Sequence, residues 1–366
     1  MQLNADHLLD YLLGRGLVSP TAAVDGDIRI IEGDRRHRHF RVERGHGPGL
    51  FVKQVRQWDA ETLACLRREA SCYRLAAENA SFAALQPWVP AYRDYDPARH
   101  VLTTEYFAEA RNMTQFHGQT GTAPVEIAEA LGQALGEWHA RIRIEPGDPQ
   151  YAGLFPNRLP FILTLHRSPA QAQHPQGAGS LYVANTLRQD PVLWQAMDDL
   201  ARRYQPTCLI HGDIKWDNLL VLDEDGDLHL RIVDWEIADI GDPLWDAAGV
   251  LQSYLLFWLL SMPLTSQADP NRMDELARFP LPRIQPALRA FWDAYAESRG
   301  LAETGPDSAS ATLRVGLRFA AARMTQTAYE TGVAYGQPIP QVRHMMQLAQ
   351  NILLKTDQAV HDLLGM

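Results

Sequence analysis

Apolar side chains recur three and four residues apart along Asp59–Ala77, where Leu63, Leu66, Ala70 and Tyr73 share or adjoin one face, and this spacing predicts a helix. The same period runs through Pro124–Ile142, carried by Ile127, Leu131, Leu135 and Trp138. Pro191–Tyr204 reads as another helix, and His7–Leu17 as a short amphipathic one stopped by Gly16. Between these lie stretches with strand character. Asp27–Ile31 and Phe40–Glu43 flank the polar turn Glu32–His39, and Leu50–Val55 follows the turn Gly45–Gly49. Pro90–Tyr95 and Val101–Tyr106 alternate as a further pair. The order β-β-β-α-β-β is thus complete by residue 107, and the rest is mostly helical. Its exception is Cys208–Asp234, a strand, a loop and a hairpin whose strands Val221–Leu222 and Leu228–Val233 close on the turn Asp223–Asp227. The pattern predicts an α+β protein, a small sheet-bearing part over 1–107 and a helical part over 108–366. His166–Gly179 is rich in Pro, Gln, Gly and Ala and has little to bury, so a loop is expected there.

Composition narrows the possibilities. The chain has 366 residues and is 46% hydrophobic, enough for a sizeable core. Its net charge of −10 argues against a nucleic-acid partner. The charge is uneven: residues 1–100 hold 14 basic and 13 acidic side chains, and residues 101–366 hold 20 and 31. An acidic second half can attract a cationic substrate, with Asp274, Glu275, Asp293, Glu297 and Glu330 as candidate pocket residues. The most apolar run, Leu251–Leu264, is too short for a membrane span and reads as a core helix. Met1–Gly16 carries Asp6 and Asp10 in place of the basic start of a signal peptide, so a cytoplasmic location and no membrane partner are expected. Cys65, Cys72 and Cys208 form no disulfide framework, and no Cys/His spacing suggests zinc. Only three of the 34 basic residues are lysines: Lys53, Lys215 and Lys355. Where lysine persists against such a bias, a site can require a compact ammonium.

The chemistry concentrates in Leu209-Ile-His-Gly-Asp-Ile-Lys-Trp-Asp-Asn-Leu-Leu220 and in Ile232-Val-Asp-Trp-Glu236. Asp213 and Asn218 sit five apart on a loop after an apolar strand, and Asp234 ends a second apolar strand. Phosphoryl transfer needs a carboxylate to orient the attacking hydroxyl and hard oxygen ligands for Mg²⁺ on the phosphates. Asp213 suits the first task, and Asn218 with Asp234 the second.

These segments resemble the aminoglycoside phosphotransferase and choline kinase group of the protein-kinase-like fold. His211-Gly-Asp213 with Asn218 is similar to its catalytic loop, Asp234-Trp-Glu236 to its metal-binding strand end, and Gly241-Asp-Pro-Leu-Trp-Asp246 to the motif that braces the loop. Any one motif is weak evidence; the three in order are specific, and the likeness spans roughly residues 25–350. The resemblance implies a two-lobed kinase-like architecture, with ATP or GTP and Mg²⁺ as cofactors. It implies that Lys53 on the third strand grips the nucleotide phosphates and pairs with a glutamate on the next helix. Glu69 is preferred and Glu61 competes, lying near the helix start. Gly33 and Arg35 fall in the nucleotide-covering turn, which has one glycine where protein kinases have three, and Arg36 and Arg38 accompany them. Tyr106 and Phe107 occupy the adenine hinge that the resemblance places after the fifth strand.

Lys215 can neutralise the transferred phosphoryl group beside Asp213. His211 is expected to support the loop, Asp246 to order its backbone, and Asp217, Asp239 and Asp242 to serve surface or capping roles. His37 and His39 read as loop or strand-face residues; Trp216, Trp235 and Trp245 could line an acceptor pocket or pack the core; Glu236 could meet Mg²⁺ or the acceptor. The expected activity is a phosphotransferase moving the γ-phosphate to a hydroxyl of a small molecule such as an amino sugar. A kinase for Ser or Thr of a peptide is the alternative, and a non-catalytic nucleotide-binding scaffold is the alternative of another class. The sequence leaves oligomeric state open.

Overall fold

The computed structural model describes residues 2–34, 37–168, 177–224, 226–263, 276–335 and 337–366, and it divides into two compact units. The first unit comprises Met1–Thr114, Pro149–Phe155 and Asp217–Ala238; the second comprises Gln115–Asp148, Pro156–Trp216 and Asp239–Met366. The first unit therefore runs past residue 107 and takes two later segments into itself. One of these is the hairpin that follows the loop of Asp213.

In the first unit, β1 (Ile28–Asp34), β2 (Arg38–Arg44), β3 (Gly49–Gln54), β4 (Tyr92–Asp96) and β5 (Val101–Tyr106) form an antiparallel sheet in the order β1-β2-β3-β5-β4. Helix α1 (Ala5–Gly14) starts at Asn4, whose side chain accepts from the His7 N–H, and a short α2 (Pro20–Val24) follows. Leu8 and Leu12 of α1 pack with Phe40, Val42, Leu50, Val52 and Val101 into one apolar cluster. Successive strand residues face opposite sides, so Lys53 points away from that cluster, and it too is buried. Helix α3 (Ala60–Glu78) is capped by Asp59, which accepts from the N–H groups of Glu61 and Thr62. It buries Leu66, Glu69, Ala70 and Tyr73, with Cys65 and Cys72 as small core residues. A second sheet joins β6 (Arg111–Asn112), at the start of α4 (Met113–Thr120), to the hairpin that follows the loop of Asp213. The hairpin strands are separated from β6 along the chain by the second unit's own β7 (Cys208–Ile210), and are β8 (Leu219–Glu224) and β9 (Asp227–Ile232), in the order β6-β8-β9.

The second unit is helical: α5 (Val125–Arg141), α6 (Ala178–Gln189), α7 (Pro191–Arg203), α8 (Pro243–Leu260), α9 (Leu281–Arg299), α10 (Ala309–Val333) and α11 (Pro340–Leu354). Strand β7 pairs antiparallel with β10 (Asp239–Gly241). Helices α5 and α9 approach closely because Gly132 leaves room: a Cβ there would meet the carbonyl oxygen of Phe291. The apolar run near residue 251 belongs to α8, which begins earlier, at Pro243, behind the Asp242 cap. Among the described residues no helix is long and apolar enough to cross a membrane. The expected loop at 166–180 lies partly outside the described residues; within them, His166 is buried and α6 begins at Ala178.

Candidate active site

In the first unit, strand β3 and helix α3 bring one lysine against a group of carboxylates. Lys53 Nζ donates to Glu69 Oε2 at 2.7 Å and to Asp234 Oδ1 at 2.6 Å, and Glu236 Oε2 lies 3.6 Å away. One oxygen from each of Glu69, Asp234 and Glu236 falls within 4.8 Å of the others, so three acids surround one ammonium. Burial opposes the charge on Lys53, and the three carboxylates outweigh it and hold its pKa above the usual lysine value. Burial pushes Glu69 upward against the pull of Lys53, with Asp234 and Glu236 adding to the rise. Three oxygen acids around one fixed cation form a hard, anionic donor set, which suits a divalent ion such as Mg²⁺. Glu61, the competing partner, is exposed in the first turn of α3.

Asp234 adopts the left-handed conformation, with φ 68° and ψ 53°, one of three non-glycine residues with positive φ among those described. Its N–H donates to the Tyr73 hydroxyl at 3.2 Å, which ties the strand end to α3. Arg68 adds a second tie by donating to the Glu236 carbonyl at 2.8 Å. Asn218 is buried, and its carbonyl accepts from the Val233 N–H at 3.0 Å, aligning the start of β8 with the end of β9. Trp235 is fully buried and donates to the Ile232 carbonyl, so it packs the core instead of lining a pocket.

His37 is a loop residue, as expected, with a partner far along the chain. It is buried in the turn before β2, and its Nε2 lies 2.9 Å from Glu236 Oε2. Nothing local in the sequence could reveal a partner 199 residues away. His39 stacks on Phe51 and covers Gly33, its cross-strand neighbour, where a Cβ would collide with the imidazole. A side chain at position 33 would displace the His39 ring. Arg35 and Arg36 lie outside the described residues. Arg38 donates to the Leu3 carbonyl at 2.5 Å and pairs with Glu32. Tyr106 stands opposite Gly49 in the sheet, and Arg231 lies over the Phe107 ring at 5.5 Å. Asp217 accepts from Thr114 and Asn112, an ordinary surface anchor.

The second unit carries the loop of Asp213. Asp246, fully buried in the first turns of α8, accepts the His211 N–H at 2.6 Å and the Gly212 N–H at 2.9 Å. His139 Nε2 lies 3.4 Å from the same carboxylate, and Tyr295 lies behind His139. Burial disfavours the Asp246 charge, but the His139 and His211 contacts overcome this and lower its pKa. Burial lowers the pKa of His139. His211 Nδ1 accepts the Asp213 N–H at 3.2 Å, so this histidine shapes the loop. Lys215 Nζ reaches Asp213 Oδ2 at 2.5 Å, and both side chains remain partly exposed. Asp242 caps α8 and accepts from Gln205, while Asp239 accepts from Asn157 and Arg158. Trp245 donates to the Gly212 carbonyl, and Trp216 packs against His117, Tyr254 and Phe257. Of the acids expected to line a pocket, Asp293, Glu297 and Glu330 are exposed, and Asp274 and Glu275 lie outside the described residues.

Comparison with known proteins identifies the family and the fold. The profile described as "Phosphotransferase enzyme family" matches residues 27–295, well over half of the chain. A microcompartment-associated aminopropanol kinase has a similar structure, with a TM-score of 0.52 at 15% identity, covering 90% of this chain and 93% of that one. An ADP-bound aminoglycoside phosphotransferase gives a TM-score of 0.50 at 13% identity, covering 96% and 99%. At these identities the likeness shows the fold, and it is the protein-kinase-like α+β fold expected from the sequence. Acyl-CoA dehydrogenase family member 10 of Mus musculus is 41% identical over 54 residues, and this chain spans only 5% of its length.

Proposed function

Since the chain belongs to the phosphotransferase enzyme family, we propose that it transfers the γ-phosphate of ATP, or of GTP in its place, to a hydroxyl group of a small molecule. The observation that carries this reading is Lys53, gripped by Glu69 and Asp234 inside a group of three carboxylates. A buried ammonium held in this way is positioned to take the α- and β-phosphates of a nucleotide. The ADP in a structure of similar fold supports the nucleotide. The surplus of negative charge around Lys53 supports a divalent cation, which Asp234 and Asn218 would hold, with Glu236 beside them. When bound, Mg²⁺ would screen the phosphate oxygens.

The protein's own residues do the rest. Glu69 keeps Lys53 in place. Asp213, its loop fixed by Asp246, orients the acceptor hydroxyl and accepts its proton, and Lys215 supplies positive charge for the phosphoryl group. Tyr106, Phe107 and Gly33, together with Arg35, would border the nucleotide.

The acceptor we put forward is an amino sugar or related amino alcohol. The aminopropanol kinase and the aminoglycoside phosphotransferase of similar fold are named for acceptors of that kind. The test is a panel of amino alcohols, neutral sugars and Ser/Thr peptides incubated with Mg·ATP and read by mass spectrometry for a gained phosphoryl group. We expect turnover of an amino alcohol and its loss, by about 10²- to 10⁴-fold, in Asp213→Asn. Phosphorylation confined to peptides would replace the acceptor. Nucleotide binding with no product anywhere in the panel would favour a scaffold.

A further inference from the structure

We propose that Arg323 is a positioning residue for the loop of Asp213, clamping its carbonyl groups as Asp246 clamps its N–H groups. The inference rests on the reading of Asp213 as the group that orients the acceptor. Arg323 lies on α10, more than 100 residues from the loop, and is 7% exposed. Its Nη1 donates to the Gly212 carbonyl at 3.1 Å and its Nη2 to the Ile214 carbonyl at 2.7 Å. Those two carbonyls bracket Asp213. The guanidinium lies over the Trp245 ring at 5.0 Å, and the Trp245 indole N–H shares the Gly212 carbonyl at 3.1 Å.

The geometry separates this arginine from a space-filling one. A guanidinium has a rigid fork of donors, and here two arms of it fix two peptide groups, one on each side of the functional carboxylate. Its described hydrogen-bond partners are backbone carbonyls, not carboxylates, so the energy of a buried cation is directed into the loop. From the opposite polarity, Asp246 holds the N–H groups of His211 and Gly212. The loop is therefore held by a buried anion on its donors and by a buried cation on its acceptors. Helix α8 makes room for the arrangement at Gly249, where a Cβ would come within 2.5 Å of the Ile214 carbonyl oxygen and 3.2 Å of the Arg323 guanidinium carbon. A methionine at 323 would fill similar volume and leave both carbonyls short of a donor.

Hydrogen exchange read by mass spectrometry on peptides covering residues 208–218 tests the inference, alongside hydrolysis of Mg·ATP with water as acceptor. In Arg323→Met the loop amides should exchange about 10- to 100-fold faster while α5 and α9 keep their protection. Arg323→Lys should fall between, and Gly249→Ala should loosen the same peptides with Arg323 intact. Millimolar guanidinium should restore protection in Arg323→Ala and leave the wild type unchanged. Hydrolysis should lose turnover in Arg323→Met at unchanged nucleotide KM. Loop exchange at the wild-type rate in Arg323→Met, or a rise spread evenly over the whole unit, overturns the proposal, as does failure of guanidinium to act. If Arg323→Met does not fold, the lysine and Gly249→Ala variants decide by the same peptides. Asp213→Asn serves as the control: if it hydrolyses ATP like the wild type, the reading of Asp213 fails, whatever the exchange shows about Arg323.

Discussion

Replacing Lys53 by methionine removes the ammonium that Glu69, Asp234 and Glu236 surround and leaves the three carboxylates in place. Its Nζ lies 2.7 Å from Glu69, 2.6 Å from Asp234 and 3.6 Å from Glu236. Without it, each pair of acids separated by up to 4.8 Å repels by about 3–4 kcal/mol at an effective dielectric of about 20. Removing one partner of a buried ion pair costs about 3–5 kcal/mol, a sizeable part of a typical folding free energy. The site can recover some of this by taking up a cation. The variant should therefore melt well below wild type in EDTA, gain more than wild type from added Mg²⁺ or Mn²⁺, and bind Mg·ADP poorly. Thermal melts with and without each metal, together with calorimetric ADP titration, read all three. Equal melting temperatures in EDTA and equal metal responses would refute the reasoning, because the three acids would then not depend on Lys53 for their charge balance.

The two candidate partners of Lys53 separate cleanly: Glu69→Gln should lower nucleotide affinity by about tenfold or more, whereas Glu61→Gln, on the exposed first turn, should bind ADP as the wild type does. Burial raises the pKa of Asp242 from 3.8 to about 6 despite N–H donors from Gln205 and Leu244. A raised folded-state pKa means that the folded chain binds the proton more tightly, so this group's contribution to stability is full below pH 4 and is lost as pH rises to 6. Urea melts should show that slope, about 3 kcal/mol in all, and Asp242→Asn should lack it. Gly132→Ala should destabilise the second unit by about 1–3 kcal/mol, read as a lower urea midpoint, because its methyl group meets the α9 backbone.

The parts of the site that the sequence displayed are those with short-range signatures. Lys53 stood on an alternating strand and Glu69 sixteen residues on, one helical face away from solvent; the loop around Asp213 and the strand end at Asp234 carried their own spacing. The core positions of α3 and α5 were likewise legible from period, since burial repeats with helical geometry. What stayed hidden are contacts whose partners share no local pattern. His37 meets Glu236 across 199 residues, and Arg323 reaches Gly212 across 111. Arginine is also the commonest basic residue in this chain, so one useful arginine is not distinguished by type. The acidic balance of the second half is legible for the converse reason, as a sum over side chains, and a sum does not say which of them share a pocket.

The left-handed backbone at Asp234 narrows what evolution can write there. Aspartate, asparagine and glycine tolerate that conformation, while other side chains strain against their own carbonyl. Of those three, one alone bears the charge that meets Lys53. Position 234 is therefore specified twice, once by shape and once by charge, and the two requirements intersect in a single amino acid. Glutamate would keep the charge and lose the shape; asparagine would keep the shape and lose the charge. A protein that copies this strand end can redesign nearly everything around it, but its alphabet at this position has one letter.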